Sequence, residues 1–417
     1  MNSFLEKNRL AFYLLLLLIF GTLLAIFIRP LGFQWDFFVY YDAGMSIRLG
    51  VNPYTLEGLK ALGLGHSPLT PSYLPLTLCL FVPLSFLPIG IAAQCYFLLK
   101  CAALVYLYRV LSSYFVKINL FNSLNLIILF LAFNSTLLWD LSSGNILTFL
   151  SLFLFLAAKN FLKEKYWRFC FWILLAASFK IIPLFFLLFF ALDFSFLRKQ
   201  GWRFFLGSLV FFSFFIGLNF LIFPDLMSYF YKNSTHLVLE TGILAPSLFS
   251  FFHDIFLIFT KLSFVNLNLN AGISKPFYFL SLIFIAWISF KKIQVHSNLS
   301  KTRREKILFQ FSILILVFLL CVPRIKSYDF VYAIPVLFYF LPTLSPSKKA
   351  FLLTLLCLPV VYPVGGGLDQ EMVSSAHLGF VKKILYLFFQ YLPCLGVLLL
   401  WTELVTMSSS KKTNEIK

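Results

Sequence analysis

Two carboxylates, Asp36 and Asp42, lie in a stretch of the sequence that is otherwise dense in aromatic residues. The stretch covers residues 34–54, reads QWDFFVYYDAGMSIRLGVNPY, and directly follows the first long apolar run. A carboxylate in this setting can accept a proton from a hydroxyl group, which is general-base chemistry. A plain connecting loop has little reason to place acids and aromatic rings this densely beside a membrane. The functional interpretation therefore begins at this segment.

Polar side chains also lie between apolar runs at later points of the chain. They are a turn with Asp140 and Asn145, the tip of a short apolar hairpin at Lys180, and the segment PRIKSYDF with Arg324, Lys326 and Asp329. A carboxylate together with several cations suits the transfer of a sugar from a lipid-linked phosphate. The carboxylate deprotonates the acceptor hydroxyl, and lysine or arginine stabilises the departing phosphate. That phosphate leaves without a proton, so the second carboxylate of a glycoside hydrolase is unnecessary.

Each of these candidates also has a structural interpretation. Asp36 could cap an interfacial helix, and Asn145 is typical of a helix N-cap. Lys180 could extend to the lipid headgroups without binding a substrate. Arg324 and Lys326 could bind anionic lipid, or could show that the topology is inverted at that point. The residues alone leave these alternatives open.

The composition indicates which elements must position these residues. Hydrophobic residues make up 60% of the 417 residues, charged residues only 12%, and the mean hydropathy is +0.90. A soluble core cannot hide this much apolar surface, and the apolar runs are long enough to cross hydrocarbon. The runs are apolar all round, whereas the strands of a membrane β-barrel alternate polar and apolar residues. The predicted fold class is therefore an all-α polytopic membrane protein.

The distribution of charge indicates how the chain crosses the membrane and does not indicate binding to a polyanion. The net charge is +18, but the basic residues lie in short clusters between apolar runs. The positive-inside rule explains such clusters as cytoplasmic loops, so nucleic acid is not an expected partner. The seven cysteines form no CxxC pair, and His236 with Glu240 is weak evidence for a metal. No cofactor is expected, although the sequence leaves a divalent metal open.

Basic residues also predict the path of the chain through the membrane. Lys7 and Arg9 precede the first apolar run, which places the N-terminus in the cytoplasm and Asp36 outside. Fitting the apolar runs between the basic clusters gives roughly 12 crossings. The predicted spans lie near residues 10–28, 91–109, 122–138, 145–160, 167–180, 181–197, 203–222, 276–290, 307–322, 328–342, 349–363 and 383–404. Residues 1–417 are expected to form one membrane domain, with 29–90 as the first outer loop and 405–417 as a cytoplasmic tail.

Two apolar segments do not fit this scheme as full spans. Residues 73–88 contain Pro75, Pro83 and Pro88, each of which removes a helix hydrogen-bond donor. We expect this segment to be juxtamembrane or re-entrant. Residues 246–260 contain His253 and Asp254 in their middle and are predicted to lie at the interface.

The order of these features resembles the GT-C glycosyltransferases, specifically the polyprenol-phosphate-mannose-dependent mannosyltransferases of glycosyltransferase family 87. DFFVYYDAGMSIRLGVNPY is similar to the family signature D-x-x-V-Y-x-x-A-G…L-x-G-x-x-P-Y. Further similarities, in family order, are SYLPL at 72–76, SSGN at 142–145, LLAASFKIIP at 174–183 and PRIKSYDFVYAIP at 323–335. Together they extend over residues 36–335.

The resemblance implies a GT-C-type helical bundle with juxtamembrane helices in its outer loops. It implies transfer of a hexose, mannose by family analogy, with inversion, from a polyprenyl-phosphate sugar to a lipid or glycan acceptor. The site would face the outside of the cytoplasmic membrane, among membrane lipids, with Asp36 as the catalytic base. The expected substrate-binding residues are Tyr40, Asp42, Tyr54, Tyr73, Asn145, Lys180, Arg324 and Lys326. Of these, Lys180, Arg324 and Lys326 would lie near the donor phosphate.

Departures from the family pattern concern substrate identity more than fold. SYLPL has one of the two expected prolines, SSGN lacks the glutamine, and the late loop lacks a histidine. Asp42 and Asp140 rank behind Asp36, as structural or metal-binding residues. The alternative functions are a transporter or polyprenyl-lipid flippase, and an inactive relative that binds a polyprenyl phosphate. Transporters tend to contain repeats and midplane polar sites; here no repeat is evident, which favours the enzyme.

Overall fold

A computed structural model of the chain describes residues 9–61, 69–115, 122–192, 200–235, 245–262, 274–300, 302–357, 385 and 387–407. Every regular element within these ranges is a helix. The chain divides into two compact units. The first comprises Met1–Ile127 and Leu138–Val238, and the second comprises Ile128–Leu137 and Leu239–Lys417.

The first unit is built from helices of very unequal length. In chain order they are α1 (Arg9–Ile28), α2 (Trp35–Arg48), α3 (Leu56–Ala61), α4 (Pro75–Leu78), α5 (Ile89–Tyr114), both ends of α6 (Ser123–Ser143), α7 (Leu147–Leu162), α8 (Tyr166–Phe179), α9 (Trp202–Ile222) and α10 (Pro224–Thr235). The 3-10 segments Pro30–Gly32, Cys79–Phe86 and Ile182–Leu192 lie between them. Helix α7 packs against both α5 and α8 and forms the centre of the unit.

The second unit is organised around one buried helix. Its described helices are α11 (Leu248–Leu262), α12 (Ser274–Leu299), α13 (Arg303–Cys321), α14 (Ala333–Phe340), α15 (Pro346–Leu356) and α16 (Leu392–Thr406), with 3-10 turns at Ser327–Tyr332 and Leu341–Thr343. Helix α13 is buried along almost its whole length and packs against α12 and α16. A helix that is apolar all round must be enclosed by other helices or lipid, and α13 is enclosed by its neighbours.

Several helices present large apolar side chains on their outer faces. On α9, Phe214 is 61% exposed and Leu221 is 78% exposed, and on α12 Ile283 is 67% exposed. Water would solvate such a surface poorly, whereas lipid chains match it. The predicted all-helical membrane protein is confirmed by these helices.

The number of membrane crossings is not confirmed. Among the described residues, four helices are long and apolar enough to span: α5, Leu124–Ser143 of α6, α9 and α12. Helix α6 is not continuous, because residues Ala132, Phe133, Asn134 and Ser135 have non-helical backbone angles and divide it into two helical pieces. Other predicted spans coincide with shorter apolar helices, such as the 16 residues of α7 and the 14 residues of α8. The expected count of roughly 12 assumed that each apolar run forms a helix of spanning length, and several runs form shorter elements.

Prolines interrupt the apolar segment that was predicted not to span. Residues 75–86 form the four-residue helix α4 and then a 3-10 stretch that contains Pro83, so they make no continuous α-helix. Residues 248–262, around His253 and Asp254, form α11. The placement of both segments at a membrane interface stays a prediction.

Helix α2 lies directly against the 3-10 stretch Cys79–Phe86. Gly44 makes this close approach feasible, because a Cβ at this position would lie 2.8 Å from the backbone carbonyl of Phe81. Arg48 Nη1 donates to the carbonyl of Ser85 at 2.7 Å, and the Tyr41 hydroxyl donates to the carbonyl of Leu87 at 2.8 Å. Close packing at Gly44 and the hydrogen bonds of Arg48 and Tyr41 therefore fix the position of α2, the helix that carries Asp36.

Candidate active site

Asp36 lies in the first turn of α2 and is half-buried. Its Oδ2 accepts a hydrogen bond from Nδ2 of Asn145 at 2.8 Å, across 109 residues of sequence. The helix N-terminus is itself favourable for a carboxylate, since its free N–H groups carry partial positive charge. Neither residue acts as the expected cap: the N-caps of α2 and α7 are Gln34 and Ile146, and neither helix has a side-chain cap hydrogen bond. The carboxylate and the amide therefore bind each other.

The turn that carries Asn145 is packed onto the start of α2. Gly144 ends α6 with φ of 71°, a left-handed conformation that favours glycine. A Cβ at Gly144 would lie 2.8 Å from Cβ of Phe37 and 3.1 Å from Cβ of Gln34. The backbone N–H of Gln34 donates to the carbonyl of Ser142 at 2.5 Å. This packing explains why a glycine precedes the asparagine in SSGN.

Three tyrosines expected at the sugar pocket form one connected group beside Asp36. The hydroxyls of Tyr40 and Tyr73 lie 2.9 Å apart, and the Tyr54 hydroxyl donates to the carbonyl of Tyr73 at 2.5 Å. All three side chains are buried. Burial raises the pKa of Tyr40 and of Tyr54, and for Tyr40 the nearby Asp36 carboxylate raises the pKa further. Tyr40 and Tyr54 are therefore neutral at physiological pH. The contact of the three side chains with a sugar stays a prediction.

Asp42, the second carboxylate of the segment, is buried within the body of α2. Its backbone carbonyl accepts from the hydroxyl of Ser46 at 2.8 Å. A buried position favours the structural interpretation of Asp42 over the metal-binding one. Among the described residues, no three His, Cys, Asp or Glu side chains are grouped as metal ligands.

A buried ion pair between Lys100 and Asp140 lies next to the turn that carries Asn145. The sequence indicated Asp140 as a candidate but not Lys100. Lys100 of α5 places Nζ 3.0 Å from Oδ2 of Asp140, and both side chains are 0% exposed. The same ammonium donates to the carbonyl of Asp140, and the Thr148 hydroxyl donates to its carboxylate. The available signal was the isolated lysine within an apolar run, since a charge inside a spanning helix is expensive and rarely incidental.

Lys180 ends α8, with its N–H bonded to the carbonyl of Ala176 at 3.2 Å, and is half-buried. The Thr77 hydroxyl donates to the carbonyl of Ser178 at 2.6 Å, two residues before Lys180. The backbone at this lysine is therefore tied to the segment that begins at Tyr73. Lys180 and Asp36 belong to the same compact unit.

Arg324 and Lys326 lie in the second unit, where they flank the buried side chain of Ile325. Both cations are half-buried. The backbone N–H of Lys326 donates to Oδ2 of Asp329 at 2.7 Å, so this aspartate holds the loop. Their predicted approach to the donor phosphate, and hence to Asp36, stays a prediction.

The loop that carries these cations is fixed by two hydroxyl groups. Ser247 donates to the carbonyl of Pro323 at 2.6 Å, and Thr136 donates to the carbonyl of Ser327 at 2.7 Å. These two hydrogen bonds therefore hold the backbone on both sides of Arg324 and Lys326. The suggested pair His236 and Glu240 lies outside the described residues.

A family model, described as Glycosyltransferase family 87, matches residues 72–323 of the chain. The chain belongs to glycosyltransferase family 87. The predicted family is thus confirmed, and the protein is a membrane glycosyltransferase. No curated protein and no solved structure matches the chain significantly.

The region matched to glycosyltransferase family 87 contains part of the candidate site and contacts Asp36. Tyr73, Asn145 and Lys180 lie inside residues 72–323, whereas Asp36 precedes them. The Asn145–Asp36 hydrogen bond connects this earlier carboxylate to the matched region. Family membership also favours the enzyme over the transporter and flippase alternatives.

Proposed function

We propose that this glycosyltransferase transfers a hexose, mannose by analogy, from a polyprenyl-phosphate sugar to a glycolipid or glycan acceptor. The reaction would take place at the outer face of the cytoplasmic membrane, with inversion at the anomeric carbon and Asp36 as the base. The observation that carries the proposal is the 2.8 Å hydrogen bond between Asn145 and Asp36. It holds a partly accessible carboxylate at a helix N-terminus, beside the region that matches the family.

The proposed reaction is a direct displacement. Asp36 removes the proton of the acceptor hydroxyl while that oxygen attacks the anomeric carbon. The bond between the anomeric carbon and the phosphate oxygen breaks, and its electron pair stays on the phosphate. The products are a glycoside of inverted configuration and a polyprenyl phosphate with one more negative charge. Lys180, Arg324 and Lys326 are proposed to stabilise that charge, as cations do for other departing oxyanions.

The environment of Asp36 supports a role as base over a role as acid. A carboxylate that accepts hydrogen bonds and lies at a helix N-terminus is favoured in its ionised form. Asn145 also fixes the direction of the carboxylate, which matters because general-base catalysis depends on reach and alignment. Tyr40, Tyr54 and Tyr73 are proposed to line the sugar pocket.

Transfer from radiolabelled polyprenyl-phosphate mannose in membranes tests the catalytic assignment. Asp36→Asn is expected to lower the rate by at least about 100-fold, the usual range for losing a general base. Asp225→Asn is the matched control, because Asp225 is an exposed acid at the start of α10 in the same unit. Near wild-type transfer by Asp36→Asn would refute the role of this residue.

A second comparison tests the donor class. Wild-type protein is supplied with either the polyprenyl-phosphate sugar or the corresponding nucleotide sugar, in membranes depleted of polyprenyl phosphate. We expect transfer only from the lipid-linked donor. Transfer from the nucleotide sugar under these conditions would overturn the donor assignment and leave the role of Asp36 to the first experiment.

A further inference from the structure

Lys100 is a buried charge that the proposed reaction does not use directly. It lies near the middle of spanning helix α5 and is paired with Asp140, also fully buried. Taking two such charges out of water is unfavourable, and apolar residues of similar volume often stabilise a protein as well or better. A contribution to stability is therefore a weak explanation for the pair. Its surroundings indicate a different one.

The carbonyl oxygen of Asp140 is a meeting point for donors from the turn before α7. It accepts from Nζ of Lys100, from the N–H of Gly144, from the N–H of Asn145 at 3.3 Å and from the hydroxyl of Ser143 at 3.2 Å. Three donors of the turn and Lys100 thus share this one backbone carbonyl. Lys100 connects that group to α5 and fixes it against the unit core.

The carboxylate of Asp140 extends the connection to the next helix. It accepts from the hydroxyl of Thr148 in the first turn of α7, while its other contact is with Lys100. The pair therefore ties α5, α6 and α7 together at one point. Asn145 lies in the turn between α6 and α7, and its side-chain amide donates to Asp36.

We infer that Lys100 is a positioning residue for the base: by fixing Asp140 it holds the amide of Asn145 against Asp36. The inference rests on the proposed role of Asp36. Lys100 thus has a different role from the cations expected to bind the donor phosphate. Its side chain is fully buried, and it would act on Asp36 only through Asn145. Removing Lys100 should therefore slow the chemical step and leave substrate affinity nearly unchanged.

The main variant neutralises the pair as a whole. Lys100→Met alone leaves Asp140 as an unpaired buried charge, which could prevent folding. Lys100→Met combined with Asp140→Asn removes both charges and retains the backbone carbonyl and an acceptor for Thr148. We expect this double variant to fold, with kcat lowered at least about tenfold and KM within about twofold, as for a slightly misplaced catalytic group.

A matched control and a coupling test separate positioning from general damage. Asn160→Leu is the control, since it removes a buried polar side chain near the end of α7. In the described structure the Asn160 amide is bonded only to the carbonyl of Leu156 in its own helix. It lies about 22 Å along the chain direction of α7 from Asn145. This variant should leave kcat within about twofold. Adding Asn145→Ala to the neutralised pair should lower kcat little further, since residues that act as one unit are not additive. Wild-type kcat in the neutralised pair, or fully multiplicative losses with Asn145→Ala, would overturn the inference.

A measurement without transfer distinguishes failure of this inference from failure of the proposed function. Asp36→Cys and Asn145→Cys are introduced together, and their reaction with a short thiol cross-linker is timed. The chain with only its seven native cysteines is the background control. Neutralising the Lys100–Asp140 pair should slow the cross-link at least about threefold if it releases the turn; an unchanged rate would overturn the inference. Absence of transfer by the wild-type chain would instead count against the proposed donor.

Discussion

The turn at residues 142–145 and the loop at residues 323–330 both carry polar groups, but they are held in different ways. In the turn, the functional side chain itself is bonded, because Nδ2 of Asn145 donates to Asp36. In the loop, the hydrogen bonds from Ser247 and Thr136 fix the backbone carbonyls of Pro323 and Ser327. A base must be aligned with one proton, whereas a cation can stabilise phosphate charge from a range of geometries. The difference agrees with the proposed roles of Asp36 as the base and of Arg324 and Lys326 as phosphate-binding cations.

The largest effect in this comparison is expected from Asn145→Ala. Asp36 would lose the hydrogen bond that directs it, and we expect kcat to fall by about 10- to 100-fold, as for catalytic groups displaced by about 1 Å. Steady-state transfer assays measure the change. Asn160→Ala, near the far end of α7, is the control, and equal losses in both variants would contradict a specific role for Asn145.

Gly144→Ala should have the next largest effect, and it should reduce both activity and stability. The residue has φ of 71°, and an added Cβ would lie 2.8 Å from Cβ of Phe37. Holding a non-glycine residue in a strained conformation costs roughly 1–3 kcal/mol. Thermal unfolding in detergent and transfer rates measure the two effects. Gly90→Ala is the control, because a Cβ there meets nothing within 4 Å; similar behaviour of the two variants would contradict the packing argument.

Arg324→Ala and Lys326→Ala should raise the donor KM about tenfold each, since a hydrogen bond to a charged group contributes about 1.5–3 kcal/mol. The effect on kcat should be smaller than that of Asn145→Ala, because each cation is one of three proposed to share the phosphate charge. Initial rates at varied donor concentration separate the two constants. Lys348→Ala is the control, since Lys348 pairs with Glu403 on an exposed surface of the same unit. A loss of kcat in either variant as large as that of Asn145→Ala would contradict the contrast between turn and loop.

The smallest effect is expected from Tyr73→Phe. It removes the 2.9 Å contact with the Tyr40 hydroxyl but keeps the carbonyl that binds Tyr54. Loss of one such hydrogen bond costs about 0.5–1.5 kcal/mol, so activity should change only severalfold. Tyr106→Phe, at an exposed position of α5, provides the baseline. A loss above about 100-fold would show that the phenol takes part in the chemistry.

Local patterns predicted the helices and the residue types of the site. The apolar runs indicated helices, and Pro75 and Pro83 correctly predicted an interruption in residues 73–88. The signature around Asp36 and the SSGN turn selected the two side chains that contact each other. These successes depend on short-range signals, which a sequence contains directly.

Long-range contacts could not be predicted in the same way. No local pattern shows that Asn145 binds a carboxylate 109 residues away, or that Lys100 pairs with Asp140. The burial of Tyr40 also depends on the neighbouring 3-10 stretch, since its ring stacks on Phe81 at 4.8 Å. The number of crossings was not predictable because apolar runs of similar composition form helices of unequal length. Such features are set by tertiary packing.

The most direct test of the central claim compares single-turnover rates of Asp36→Asn and Asn145→Ala with the wild-type enzyme at saturating donor. If Asn145 acts by directing the base, Asp36→Asn should lose at least about 100-fold and Asn145→Ala should lie between it and the wild type. The double variant should be no slower than Asp36→Asn alone, because its effect requires the base. Wild-type turnover by Asp36→Asn, or a slower rate for Asn145→Ala than for Asp36→Asn, would contradict the account.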